Sequence, residues 1–215
     1  MQNNLVAFFF FVFGFNTISS QTLNTHPFLD ETIVSWHQFS VEEIDAITGS
    51  LIGRPSSATF RLQDLVGLDT GDNVSRFVIE NVKNDKYINS LKKLPEPKFM
   101  RFLLDNKFLG NKTGKGFYEK TKKKDAKGKT IINALNLETL EYESAISPKL
   151  EIIKSAKGIG LMNKRLNYLI DGNSKEQKFF KDYFATLLEY SASRVPEISD
   201  PVSYTHLTLP TNREV

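Results

Sequence analysis

From Ser40 to Leu109, and again from Leu161 to Arg194, apolar side chains return every three or four residues, and glycine or proline interrupts them before any run grows long. That interval is the period of the α-helix, so these stretches are confined to short amphipathic helices packed on one another. Val74, Phe77, Val78 and Val82 stand at i, i+3, i+4 and i+8 and predict one such helix. Ser40-Val-Glu-Glu43 has the form of a capping box, in which the serine oxygen accepts an N3 amide and the glutamate reaches back. It predicts a helix from Val41 to about Thr48, stopping before Gly49. Gly53-Arg54-Pro55 is a turn, because the residue before proline leaves the helical region. From Ala58 onward Phe60, Leu65 and Leu68 fall near one face, and Gly67 permits close approach of a neighbour. A polar stretch from Asn84 to Lys93 leads to Pro95 and Pro97, and Pro97 suits the first turn of a helix marked by Phe99, Phe102 and Leu103.

The period then changes. Leu109 to Gly116 is a glycine-rich loop, and Phe117 to Lys120 and Thr130 to Asn133 read as two short strands. The basic tip between them, Lys122 to Lys129, contains Gly128 for a turn. A connecting segment runs through Pro148. Helical spacing resumes with Leu161, Leu166, Leu169 and Ile170, breaks at Gly172-Asn173, and restarts at a second capping box, Ser174 to Gln177. Phe180, Phe184, Leu187 and Leu188 stripe a final helix to Arg194, which Pro196 ends. The class is mainly α with a small β element.

The two ends read differently from the middle. Leu5 to Phe15 is an apolar run of eleven residues, too short for a bilayer, which takes about 20. Its length suits the core of a secretory signal, but no Lys or Arg precedes it and no small-x-small cleavage pattern follows closely. An out-of-frame start is the alternative. Val202 to Thr211 resembles the translation of a sequencing-library adaptor, so residues 201–215, with His206, are set apart as read-through. The formal net charge of +3 is too small to argue for nucleic acid or membrane. Cysteine is absent, which removes disulfides, thiolate metal sites and a cysteine nucleophile, and fits a reducing, cytoplasmic setting.

Three stretches carry a family resemblance. Asp45 to Arg61, continuing through Thr70, closely resembles the first C-terminal domain of 3-hydroxyacyl-CoA dehydrogenases, with Gly49-Ser50 where members usually have Gly-Pro. Leu109-Gly-Asn-Lys-Thr-Gly-Lys-Gly-Phe-Tyr118 is similar to that family's signature loop. Arg194 to Asp200 resembles the start of the second C-terminal domain in the long bacterial form that also carries an enoyl-CoA hydratase module. The order of the three gives the expected organisation. Residues 1–39 stand apart, 40–120 form the first C-terminal domain, 121–160 a hairpin and linker, 161–200 the start of a second helical domain, and 201–215 the tail. The resemblance implies a helical fold like the C-terminal domain of 6-phosphogluconate dehydrogenase, beside a Rossmann domain that holds NAD. It implies oxidation of an L-3-hydroxyacyl-CoA to the 3-ketoacyl-CoA in fatty-acid β-oxidation, with acyl-CoA bound through the missing domain and a homodimeric parent.

That chemistry needs a base for the hydroxyl proton and a nicotinamide for the hydride. No histidine lies between residues 38 and 205, and no G-x-G-x-x-G sits between a strand and a helix. The chain is therefore expected to be a piece of its parent, inactive alone, with no catalytic or cofactor-binding residue of its own and no metal site. By resemblance, Gly53 to Thr59 faces the substrate cleft, and Pro55, Ser56 and Thr59 are the candidates for substrate proximity, against ordinary turn and capping roles. Gly110 to Gly116 lacks the spacing and the Ser or Thr of a phosphate-binding loop and reads as a structural turn. Lys122, Lys123, Lys124, Lys127 and Lys129 have the charge to contact the phosphates of CoA or of nucleic acid, but without interleaved aromatics they read as a solvated tip. Asp64 and Asp69 read as surface or capping residues. The competing function classes are a helical dimerisation module without catalysis and a secreted protein led by the Phe-rich segment.

Overall fold

The computed structural model describes residues 39–85, 88, 89, 92 and 96–193. The Phe-rich N-terminal run, Pro95, the motif at 194–200 and the tail at 201–215 lie outside the described residues. Seven α-helices and one sheet are seen among the described residues: α1 Val41–Thr48, α2 Phe60–Val66, α3 Leu68–Asn81, α4 Lys98–Asp105, then the strands, then α5 Glu151–Lys157, α6 Met162–Ile170 and α7 Lys175–Ser193. Both capping boxes form. The Glu43 amide donates to Ser40 Oγ at 3.2 Å while the Ser40 amide donates to Glu43 at 3.0 Å, and Gln177 and Ser174 repeat the exchange at 3.2 and 3.3 Å.

Gly67 does more than admit a neighbour. Its φ of +98° ends α2 and turns the chain directly into α3, which begins six residues before Val74. The face assignment shifts with it: Phe60 and Leu68 are buried, but Leu65 is 55% exposed. On α3 the buried residues are Leu68, Gly71, Ser75 and Val78, and Phe77 is 54% exposed. Pro97 stands one position before the first residue of α4, as its N-cap.

The expected hairpin has a third strand. β1 Tyr118–Lys124 pairs antiparallel with β2 Thr130–Leu135, and β2 pairs antiparallel with β3 Tyr142–Ser144. The strand-to-strand turn at Leu140, with φ of +61°, gave no glycine to mark it. Helix α5 lies in the expected linker, where its two turns show too few apolar positions to display a period.

One apolar core joins early and late parts of the chain. Ile44, Ile47, Leu51, Phe60, Leu103 and Phe117 pack in the same cluster as Leu169, Phe179, Phe180 and Tyr183. The buried stripe of α7 is therefore Phe179, Phe180, Tyr183 and Tyr190, rotated from the expected one, and Leu188 is 66% exposed. A smaller cluster of Val78, Ile88 and Tyr190 joins the end of α3 to the end of α7, where the Tyr190 hydroxyl donates to Asp85 at 3.0 Å. No helix among the described residues is long and apolar enough to cross a membrane.

Candidate functional site

The polar centre of the described structure is a pair of sunken carboxylates on which the glycine-rich loop closes. Asp64, on the buried side of α2, is 2% exposed, so it is neither surface nor cap. The Phe117 and Tyr118 amides donate to its two oxygens at 2.9 and 2.8 Å. Two strand-edge amides are thereby satisfied inside the protein, where leaving them bare would cost about 1–3 kcal/mol each. The loop approaches so closely that side chains are excluded. A Cβ at Gly116 would fall 2.1 Å from Asp64 Oδ1, and one at Gly110 would fall 2.4 Å from the Asp64 carbonyl.

The rest of the loop is tied down as tightly. The Thr113 hydroxyl accepts from the Leu109 amide at 2.9 Å, and the Gly110 amide donates to the Lys115 carbonyl at 2.8 Å. The Lys112 ammonium pairs with Asp69 across to the start of α3. Lys115 lies over the rings of Tyr142 and Phe108 at 4.1 and 4.5 Å and pairs with Glu119 at 2.9 Å. β3 thus has a purpose: it brings Tyr142 over the loop, where its hydroxyl donates to the Gly116 carbonyl. Gly110 to Gly116 is a structural turn, as its spacing implied.

Asp45 is the second carboxylate. The Thr59, Phe60 and Arg61 amides at the start of α2 donate to it at 3.0, 2.7 and 3.0 Å, and the Tyr118 hydroxyl donates at 2.8 Å. Arg61 stacks its guanidinium 4.4 Å from the centre of the Tyr118 ring. Burial pushes the Asp64 carboxyl up to about 6 against its two amide donors, and the Asp45 charge adds to the rise. Burial also raises Asp45, opposed by the Phe60 amide. Tyr118 is raised well above the ordinary phenol range by burial and then by Asp45, so it stays a proton donor. The two carboxylates accept from amides and hold position, and Tyr118 donates to one of them. None is offered to solvent beside a nucleophile or a base.

The candidates at 55–59 divide into two environments. Pro55 and Ser56 are exposed, whereas Thr59 is fully buried. The Thr48 hydroxyl donates to the Ile44 carbonyl at 2.8 Å, so in its 2.7 Å contact with Thr59 the proton comes from Thr59. The Thr59 oxygen then accepts from Arg54 at 3.3 Å, and Arg54 also donates to the Ala58 carbonyl at 3.1 Å. Residues 122–130 are all exposed. Sequence reasoning missed Asp45 and Asp64. The two glycines that need close approach were the available signal, but nothing in the sequence names what approaches them. Among the described residues no group of three or more His, Cys, Asp or Glu is placed to hold a metal ion.

Comparison with known proteins follows the same loop. The 3-hydroxyacyl-CoA dehydrogenase C-terminal domain family matches residues 26–120, which end inside β1. A probable 3-hydroxyacyl-CoA dehydrogenase of Bacillus subtilis is 37% identical over 166 residues, 76% of this chain and 19% of its own length. A probable 3-hydroxyacyl-CoA dehydrogenase of Deinococcus radiodurans is 35% identical over 85 residues, 40% of this chain and 23% of its own. A putative fatty acid oxidation complex trifunctional enzyme of Rickettsia prowazekii is 25% identical over 160 residues, 74% of this chain and 20% of its own. The chain spans about a fifth of the length of these curated relatives. No solved structure matches the chain.

Proposed function

We propose, from the premise that residues 26–120 belong to the 3-hydroxyacyl-CoA dehydrogenase C-terminal domain family, that this chain is the helical wall of an NAD-dependent dehydrogenase. The whole protein would oxidise an L-3-hydroxyacyl-CoA to the 3-ketoacyl-CoA in fatty-acid β-oxidation. The observation that carries the reading is the way the signature loop Leu109–Tyr118 is consumed by structure: Asp64 and Asp45 lock it to α1 and α2. A motif spent on positioning leaves the neighbouring turn as the part free to face a ligand. Pro55 and Ser56 are exposed on that turn, and Thr59 fixes it from below through Thr48 and Arg54. Pro55, Ser56 and Thr59 therefore line or support the acyl side of the cleft.

The described residues do not fit NAD. Their sheet is antiparallel throughout, whereas a dinucleotide fold presents a parallel sheet with a glycine-rich turn into a helix. Their glycine-rich loop leads into a strand and is closed by Asp64. When bound elsewhere, NAD supplies the hydride acceptor. The same reading carries a fold of the 6-phosphogluconate dehydrogenase C-terminal kind, a homodimeric parent and a cytoplasmic location. Titration of the purified chain with NADH by calorimetry, and assay with acetoacetyl-CoA and NADH, test it. No binding and no turnover are expected. Micromolar NADH affinity would place the nucleotide site in this chain and overturn the assignment.

A further inference from the structure

The lysine hairpin is rooted at the carboxylate that holds the proposed substrate-facing turn. Tyr118, the first residue of β1, and the Thr59 amide both donate to Asp45. From that root β1 runs for seven residues, so its far end lies about 20 Å away at the usual rise of a strand. Lys120, Lys122, Lys123, Lys124, Lys127 and Lys129 are all exposed. None of them is in an ion pair among the described residues. The one acid in this stretch, Asp125, is turned inward on its own loop, accepting from the Lys127 and Lys129 amides at 2.8 and 2.9 Å.

The charge is therefore local and unneutralised. Residues 120–129 carry +5 in a chain whose whole formal charge is +3, so all other residues together sum to −2. The hairpin is also built to keep its shape. The Asp125 amide donates to the Lys129 carbonyl at 2.8 Å, the Gly128 amide to the Asp125 carbonyl at 2.9 Å, and the Thr121 hydroxyl fills the irregularity in the ladder by donating to the Ile131 carbonyl at 2.8 Å. Solvation alone explains exposure. It does not explain one sign of charge held on an ordered projection while the remainder of the chain is negative.

Resting on the reading above, we infer that this hairpin is an electrostatic arm that gathers the phosphate-bearing end of the acyl-CoA ligand. An acyl-CoA carries a diphosphate and a 3′-phosphate at one end and the thioester at the other, with the pantetheine chain between them. A root beside the acyl-facing turn and a basic tip displaced from it reproduce that polarity. Lysine ammonium groups take phosphate as point charges, without the fixed bidentate geometry of arginine. A convex set of them attracts ligand rapidly, weakly and with strong dependence on salt. Residues 120–130 offer no aromatic side chain for stacking nucleic-acid bases, and their largest apolar side chain is Ala126, which gives a bilayer no anchor.

The experiment titrates the full chain with CoA, dephospho-CoA, inorganic phosphate and acetoacetyl-CoA, followed by amide NMR shifts at low and high salt. It is run beside a variant carrying Lys122→Gln, Lys123→Gln, Lys124→Gln and Lys127→Gln, whose fold is checked by circular dichroism. CoA should bind weakly, lose roughly tenfold in affinity at high salt, bind better than dephospho-CoA or phosphate, and lose roughly another tenfold in the variant. Unchanged affinity in the variant, or no CoA binding by the parent chain, overturns the arm. Tighter binding of duplex DNA or of phosphatidylserine vesicles than of CoA overturns it too, in favour of a general polyanion surface. Hairpin-dependent CoA binding in which acetoacetyl-CoA moves no resonance of residues 53–59 upholds the arm and sinks the acyl-site reading instead.

Discussion

Gly116 and Gly128 belong to one continuous loop and hairpin, yet their surroundings are opposite. At Gly116 an added Cβ would meet a carboxylate oxygen at 2.1 Å and the Gly110 Cα at 2.6 Å, while at Gly128 nothing lies within 4 Å. The first glycine is required by tertiary packing, since the loop must touch Asp64. The second is required by local backbone alone, at a φ of +76°. A single motif-rich segment thus holds a half that is buried, polar and over-determined and a half that is open, charged and fixed by its own turn and ladder. Stability resides in the first. The proposed ligand contact resides in the second.

The sharpest way to break this contrast is Gly116→Ala. The clash falls on backbone and on a buried carboxylate that is itself hydrogen-bonded, so about 3 kcal/mol or more of stability should be lost. A urea midpoint close to that of the parent would show that the loop yields, and that Asp64 is not its anchor.

Asp64→Asn comes next, at about 2 kcal/mol below about pH 4 and less near neutral pH, because the new amide group faces one of the two N–H donors. It also tests the raised carboxyl. The folded value of about 6 lies above the ordinary 3.8, so the folded state holds the extra proton between those values. The contribution of Asp64 to stability is therefore full below about pH 4 and is lost as pH rises through about 6. Asp69 and Glu119 work in the opposite sense: their partners Lys112 and Lys115 lower them. The informative quantity is the difference between the parent and variant curves. That difference should change between pH 4 and 6, and a constant offset across this window contradicts a buried, titrating Asp64.

The smallest effect should come from Gly128→Ala. Space is free, and only the left-handed backbone resists, at about 1 kcal/mol. A loss equal to that of Gly116→Ala would erase the distinction between the two halves.

Features written in neighbouring residues were legible. The capping boxes at Ser40 and Ser174 need only a partner three positions on, and both form as their sequence implies. The strand pair flanking Gly128 was visible for the same reason. Asp64 was not, because the amides it accepts lie 53 and 54 residues downstream. Nor was Asp45, whose Tyr118 partner is 73 residues away. Phe77 and Leu65 fit a helical stripe in sequence and nevertheless face outward. Period fixes a spacing, but which face is buried depends on where the neighbouring helices arrive. The strand β3 reads as connection until Tyr142 is seen closing over Gly116.

By itself, then, the order of residues determined the helical class, the capped helix starts, the basic hairpin and the likeness to a dehydrogenase C-terminal domain, because each is carried by contacts or patterns short in sequence. Only the tertiary structure decided that the signature loop is spent on the buried Asp64 and the half-buried Asp45 and that Thr59 is interior while Pro55 and Ser56 face out. It alone placed the root of the lysine arm beside that turn. The physical reason is that burying a charge is tolerable only when several distant donors converge on it, and convergence is a property of the folded chain.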